Sequence, residues 1–415
     1  MSRRARCERQ PLALRAANNS VTTARGTSDK PYSRSVVFTL HVEFAFCGVM
    51  VVLLGAILPR LTAQLSINDA QAGLLMMTQF VASAAGALLV RRHLWQVLRR
   101  GYWLQAMAAL GVVLAPPRLL PLFFGLLGLS LGLLMTTTTL LIGRISAVRR
   151  GSALAILNVY WSLGAVLGPA VISRLPSTVN SRYTYIPAVI LCLFAALTLY
   201  RNMQDLPPTA SPASPAARPL LRLIAYSSAV AFLYVGVESA LGNWITTYLH
   251  RDMASSFERS NLSLGCFWAA LLIGRLFTPL ILRAIREATL CAAASAVSAA
   301  AVVSLLFAHS ALLFLLEVCV AGLALAPLYP LILSAFLARA GDTPHAGWVF
   351  TMAGCGGGIL SWLTGEVSTR IGSLRWGLLV PAIAAVLLLL FTALRRGYES
   401  PPTLAQSNGL HSEPL

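Results

Sequence analysis

Along most of its length the chain alternates long apolar stretches with short polar breaks. A helix needs about 20 mostly apolar residues to cross the hydrocarbon layer of a bilayer. Twelve stretches approach that length. The first six are Val36–Leu58, Ala72–Val90, Tyr102–Ala115, Leu119–Ile142, Ala153–Ile172 and Tyr185–Tyr200. The second six are Leu223–Leu249, Leu262–Leu282, Ala288–Ala308, Ala311–Leu337, Trp348–Val367 and Trp376–Leu394. The third and sixth are short, and Pro116 and Pro117 place a turn between the third and fourth, which share a hairpin. Between the sixth and seventh lies Arg201–Arg222, with the run PPTASPASPAARP from Pro207. Proline and small polar residues cannot build a packed core, so this segment reads as a flexible linker. It divides the stretches six and six, the organisation of membrane carriers built from two similar halves. Weak internal echoes agree: Gly128 to Gly132 corresponds to Gly322 to Ala326, and the fifth and eleventh stretches are both glycine-rich.

The expected fold class is therefore an all-α membrane protein of twelve transmembrane helices in two pseudo-symmetric six-helix halves. The halves cover 36–200 and 223–394, with a basic tail over 1–35 and a second tail over 395–415. Composition removes the competing classes. Hydrophobic residues make up 57% of the chain and charged residues 11%, whereas a soluble domain carries about 25% charged residues. The net charge of +18 would suggest nucleic acid in a soluble protein, but here it follows the loops. With the N-terminus inside, the inner segments hold 23 basic residues, eight of them in the first 35, and the outer segments hold eight. Without the tail the ratio is 15 to eight, which places both termini in the cytoplasm of a multi-pass protein of the cell (inner) membrane. Nucleic acid is not needed as a partner. The tail has no apolar core of a signal peptide and reads as a solvated, disordered arm. The seven cysteines are irregularly spaced with no C-x-x-C pair, so they are packing residues with no metal site or disulfide framework.

Three stretches carry a family resemblance. They are LGAILPRLTAQLSINDAQAGLL from Leu54; YVGVESALGNWITTYL from Tyr234 with FWAALLIGRL from Phe267; and GLALAPLYPLILS from Gly322 with MAGCGGGILSWLTGEVSTRIGSLRWGLLVP from Met352. They resemble the major facilitator superfamily (MFS), and within it the fucose-permease-like branch of sugar transporters. That resemblance implies alternating access and a small-molecule solute, with protons as a candidate co-substrate, in a monomer without cofactors. Two departures stand out. The family's loop between helices two and three reads G-x-x-x-D-R-x-G-R-R, and here Gly86 and Arg91 are present but Val90 takes the aspartate position. The acids that fucose permeases carry in helices one and four align with Gly55 and Met135. Their proton-coupling pair is not carried over.

An ionisable side chain near the bilayer centre costs about 2.5–3.5 kcal/mol, so each one asks for a reason. Glu238 falls at the middle of the seventh stretch and Arg275 near the middle of the eighth. The two are either a coupling and substrate site or a structural pair joining adjacent helices. Glu43 and Glu317 are further candidates for a functional charge, with interhelical bonding as the alternative; Glu366 lies near an interface that hydrates it. Among neutral groups, Gln79, Asn158, Trp161, Asn243 and Trp244 are candidate substrate contacts, because sugar sites combine amide hydrogen bonds with an aromatic platform. The alternative for the amides is helix-to-helix bonding. No phosphate-cradling or hydrolase motif is present, so the chain is not expected to be an enzyme. Three readings remain: a sugar or polyol carrier, a proton-driven exporter of amphipathic compounds, and a non-transporting receptor on the same fold.

Overall fold

The computed structural model describes residues 34–90, 93–146, 150–198, 219–340 and 346–394. The expected N-terminal arm, most of the linker, Arg91 and the C-terminal tail lie outside the described residues. Twelve spans are seen. The first six are Arg34–Leu65, Asp69–Leu89, Leu94–Leu114, Leu120–Ile145, Arg150–Ile172 and Ile186–Thr198. Span seven is Pro219–Thr247 continued by a π-helical turn, Tyr248–Asp252. Spans eight and nine are Phe257–Ile281 and Glu287–Ser304. Span ten is two helices, Ala311–Leu325 and Leu328–Ala340. Spans eleven and twelve are Ala346–Ile371 and Leu379–Leu394. Among the described residues, nine of these helices are long and apolar enough to cross a membrane. Spans three, six and eleven complete the set.

Three boundaries differ from the sequence expectation. Span three begins at Leu94 rather than Tyr102, because Leu94, Trp95 and Leu98 are buried on one side while Gln96 and Arg100 stay exposed on the other. An averaged apolar window loses such an amphipathic turn. Span seven begins at Pro219, inside the expected linker; proline suits the first helical position because its missing N–H is not required there. Span ten is broken at Ala326–Pro327, since a proline inside a helix removes a hydrogen bond and clashes with the preceding turn.

The outward-facing surface is apolar: Leu114, Val171, Phe194 and Leu312 are each more than 60% exposed. In water this would be a liability, and in lipid it is the solvated face. Between helices, burial of apolar area gives no driving force in lipid, so close backbone approach and hydrogen bonding hold the bundle. Glycine makes that approach possible in matching places of the two halves. A Cβ at Gly164 would overlap the Ala45 carbonyl between spans one and five, and one at Gly356 would overlap that of Phe232 between spans seven and eleven. Gly128 and Gly132 likewise bring span four onto span two, and Gly322 and Gly274 bring spans ten and eight together. Equivalent spans thus meet through equivalent small residues, which is the repeat in physical form.

Arginine repeats the pattern. Arg182, just before span six, donates to the carbonyls of Val112, Val113 and Ala115 at the end of span three. Arg375, just before span twelve, donates to Ala308 at the end of span nine. Both satisfy carbonyls that a helix C-terminus leaves without intrahelical partners. Together with Arg60 donating to the Leu175 carbonyl, Ser181 donating to Gln64 and Arg251 donating to Asp69, these contacts gather the turns at 66–68, 115–119, 173–180, 253–256, 308–310 and 372–373 at one end of the bundle, the 66–68 end.

Candidate substrate and coupling site

Glu238 and Arg275 meet. Arg275 Nη2 donates to Glu238 Oε1 at 3.1 Å, with the glutamate side chain 10% exposed and the arginine 20%. Arg275 also reaches across to the first half, where Nη1 donates to Ser162 Oγ on span five at 3.4 Å. Its guanidinium carbon lies 5.9 Å from the centre of the Trp161 ring, within the range of cation–π attraction. Trp161 in turn stands edge-on to Trp268 of span eight, with ring centres 5.5 Å apart. Tyr234, one turn before Glu238, lies against both members of the ion pair and stacks on Tyr329 of span ten at 5.5 Å. Tyr329 sits just past the break at Pro327. Spans five, seven, eight and ten therefore converge on one charged pair walled by four aromatic rings.

The cluster carries a shortage of acceptors. Among the described residues, Trp161 Nε1 and Trp268 Nε1 are buried and have no hydrogen-bond partner. Each such donor costs about 1–3 kcal/mol of desolvation. The ion pair itself is costly to break from one side, about 3–5 kcal/mol when one partner is removed from a buried pair. A polar, charged and donor-rich centre at the junction of two bundles is the place where a solute would find complementary groups.

The other sequence candidates are placed as follows. Asn243 donates to Ser361 Oγ and Trp244 Nε1 to the Ser361 carbonyl, both at 2.9 Å, joining spans seven and eleven. Gln79 donates to the Met50 carbonyl at 3.4 Å, joining spans two and one. Asn158 is exposed and bonds back to Leu154 of its own helix. The three amides thus engage separate protein partners; of the five neutral candidates, Trp161 is the one drawn into the charged cluster. Glu43 is buried within the first half, accepting from Thr138 Oγ1 at 2.7 Å and from Cys47 Sγ at 3.2 Å. Glu317 is half-buried, with one carboxylate oxygen buried and unpaired among the described residues. Glu366 accepts from Arg370 one turn on, at 2.7 Å.

Sequence reasoning missed four members of the cluster: Ser162, Tyr234, Trp268 and Tyr329. Two carried a usable signal. Tyr234 lies four residues before Glu238 and Trp268 seven before Arg275, spacings that share a helical face. A second polar assembly was also missed. At the 66–68 end, Arg251 grips Asp69 with two hydrogen bonds, of 2.8 and 2.9 Å, and Ser368 donates to the same carboxylate. The Ala70 N–H donates to Thr369 Oγ1 at 2.8 Å. Nearby, the Arg60 guanidinium lies 3.6 Å from the centre of the Phe257 ring. First-half residues are here tied to second-half residues at one end of the bundle.

The sequence agrees with this geometry. Residues 43–346 match the model of the Major Facilitator Superfamily. The chain belongs to that superfamily. It is a multi-pass membrane transporter and not an enzyme. No curated protein sequence matches it. Solved MFS structures share its fold at low identity. The fucose transporter FucP in its outward conformation is 18% identical with a TM-score of 0.59, over 86% of this chain and 98% of that one. A D-xylose–proton symporter is 12% identical with a TM-score of 0.71, over 86% and 96%. A bacterial homologue of the human lysosomal transporter Spinster, inward-facing and occupied, is 14% identical with a TM-score of 0.72, over 91% and 100%. In MFS terms, the Glu238–Arg275 cluster lies where the two six-helix halves face each other.

Proposed function

We propose that the chain is a proton-coupled carrier of a small polar solute of the sugar or polyol class, working by alternating access in the cell membrane. The observation that carries this reading is Arg275, which binds Glu238 in its own half and Ser162 in the other. A charge shared between moving parts is a two-state element whose balance a proton or solute can tip. The four aromatic rings offer the flat apolar surfaces that sugar C–H faces need. The names of two fold neighbours, a fucose:proton and a D-xylose–proton symporter, point the same way. Arginine counting puts both termini and the linker in the cytoplasm, so the 66–68 end faces outward and its Asp69–Arg251–Ser368 assembly closes the outer side.

Uptake of labelled sugars into proteoliposomes, with and without a pH gradient, tests the reading. Wild-type protein accumulates its solute under an inward proton gradient. Glu238→Gln abolishes accumulation but still exchanges labelled for unlabelled solute across the membrane. Accumulation at the wild-type level in that variant would move coupling elsewhere. Export of amphipathic compounds is the second reading, favoured by the same four rings; it predicts that hydrophobic cations, and no sugar, compete for the site.

A further inference from the structure

The reading above locates coupling at Glu238 and Arg275 and gives the solute as a sugar or polyol; the donors at that site narrow it to the oxidised, acid form of such a molecule. We infer that the solute is a monocarboxylate of the sugar-acid class, whose carboxylate replaces Glu238 on Arg275 while Glu238 takes up one proton. The inference rests on the coupling site proposed above and specifies what that site binds.

Donors and acceptors around Arg275 are unequal. Among the described residues, Trp161 Nε1 and Trp268 Nε1 are buried donors without acceptors, and Tyr234 lies against both Glu238 and Arg275. Of these residues, Tyr234 is fully buried and Trp268 is 5% exposed. The carboxylate at the site is that of Glu238, and it holds Arg275 through one oxygen and one nitrogen. A guanidinium can instead give two parallel hydrogen bonds to a carboxylate, which is a stronger and more directional arrangement. A neutral sugar does little for this shortage, because each hydroxyl brings a donor along with its acceptor lone pairs. An ionised carboxylate brings two oxygens, about four lone pairs and no donor. Acceptor-rich chemistry is what these walls lack, and the rings beside it suit the carbon skeleton of a hydroxylated acid.

Exchange of partners then dictates the proton. Once a solute carboxylate occupies Arg275, Glu238 is a buried acid without a cation, a state that a protein avoids by protonating the group. Among the described residues, the other titratable groups facing the pair are Tyr234 on span seven and Tyr329 on span ten; span five presents Ser162 and Trp161, and span eight Arg275 itself with Trp268. None of these supplies a second positive charge. The linkage is reciprocal: a proton on Glu238 frees Arg275 and raises affinity for the anion, and the bound anion raises affinity for the proton. One negative charge and one positive charge cross together, so the transport step moves no net charge. A neutral sugar with one proton would move one.

The test uses the full-length protein in proteoliposomes and three matched pairs of probes: gluconate and glucose, galactonate and galactose, xylonate and xylose. The expected result is uptake of at least one acid, driven by an inward pH gradient and unchanged when the membrane potential is clamped at different values. Its neutral counterpart is neither transported nor able to compete. In weakly buffered detergent solution, wild-type protein takes up one proton per acid bound, whereas Glu238→Gln binds the acid with no proton uptake. Arg275→Gln weakens acid binding by roughly 30-fold or more, the loss expected when one member of a buried charge pair is truncated. Potential-dependent uptake of a neutral sugar, with its acid excluded, overturns the inference and leaves the proposed coupling site standing. Failure of every acid and every sugar to bind or cross overturns both. Acid binding to wild-type protein without proton uptake overturns the exchange of partners at Arg275.

Discussion

At the scale of single residues, the structure separates polar groups that join helices from those that face a shared centre. Asn243 and Trp244 belong to the first kind, since both end on Ser361 across the interface of spans seven and eleven. Asn243→Ala removes a buried bond and leaves a gap, so it is expected to lower stability by about 1–2 kcal/mol. Its half-saturating solute concentration should stay at the wild-type value. A thermal-shift series in detergent, set beside uptake kinetics, checks both parts; a large rise in half-saturating concentration with unchanged stability would put Asn243 in the solute site. Legibility in the sequence follows the same division. Glu238 and Arg275 stood out because a charge in an apolar run is costly and demands a cause. Trp268 and Tyr329 did not, because an aromatic ring in an apolar run costs nothing and looks like packing. Asp69 was hidden differently: an acid in the first turn of a helix, beside the Asn68–Gln71 capping box, already has a local reason to be there. Its partners Arg251 and Ser368 lie far along the chain, and no local pattern announces a contact of that kind.

At the scale of elements, the glycine contacts give the tightest constraints. Spans one and five approach so closely that Gly164 meets the Ala45 carbonyl and Gly48 that of Trp161. A side chain at either point must push the helices apart, and the neighbour in each case is backbone, which cannot rotate away. Gly164→Val is therefore expected to abolish the monodisperse folded peak in size-exclusion chromatography. Gly125→Ala, whose added carbon would lie 4.0 Å from Thr78 Cβ, should leave it intact. Equal behaviour of the two variants would contradict the close approach. Because these contacts seat span five, which carries Trp161 and Ser162, against span one, this packing also fixes one wall of the charged cluster. The arginines add a second lesson. Arg60, Arg182, Arg251, Arg370 and Arg375 were counted against the cytoplasmic assignment of the termini, yet each is engaged in a specific contact at or near the 66–68 end. Structural demand explains their presence there.

At the scale of the whole molecule, the question is which contacts must break for the solute to cross. Spans two and eleven lie against each other at Gly73 and Trp362, Met77 and Gly358, and Ala84 and Gly354. At the 66–68 end the same two spans are tied by Ala70 to Thr369 and by Ser368 to Asp69, with Arg251 of span seven locking the carboxylate from the side. The alternating access proposed above requires that this end open in one half of the cycle, so on that reading the tie is reversible. Its chemistry suits that task. Arg251 is partly exposed, its side chain 46% accessible, and an ion pair reachable by water is weaker and more readily exchanged than the shielded pair of Glu238 and Arg275. A covalent bond in its place should stop the cycle. Cysteines introduced together at Ala70 and Thr369 are expected to form a disulfide under mild oxidation and to reduce transport about tenfold or more, with full recovery on adding a reductant. Each single-cysteine variant, oxidised in the same way, controls for the native thiols and should transport normally. Binding of solute from the opposite side should survive the cross-link, because the bond holds closed only the end that is already closed. A cross-linked protein that still transports at the wild-type rate would mean that the 66–68 end never parts along spans two and eleven, and that the solute follows another route through the bundle.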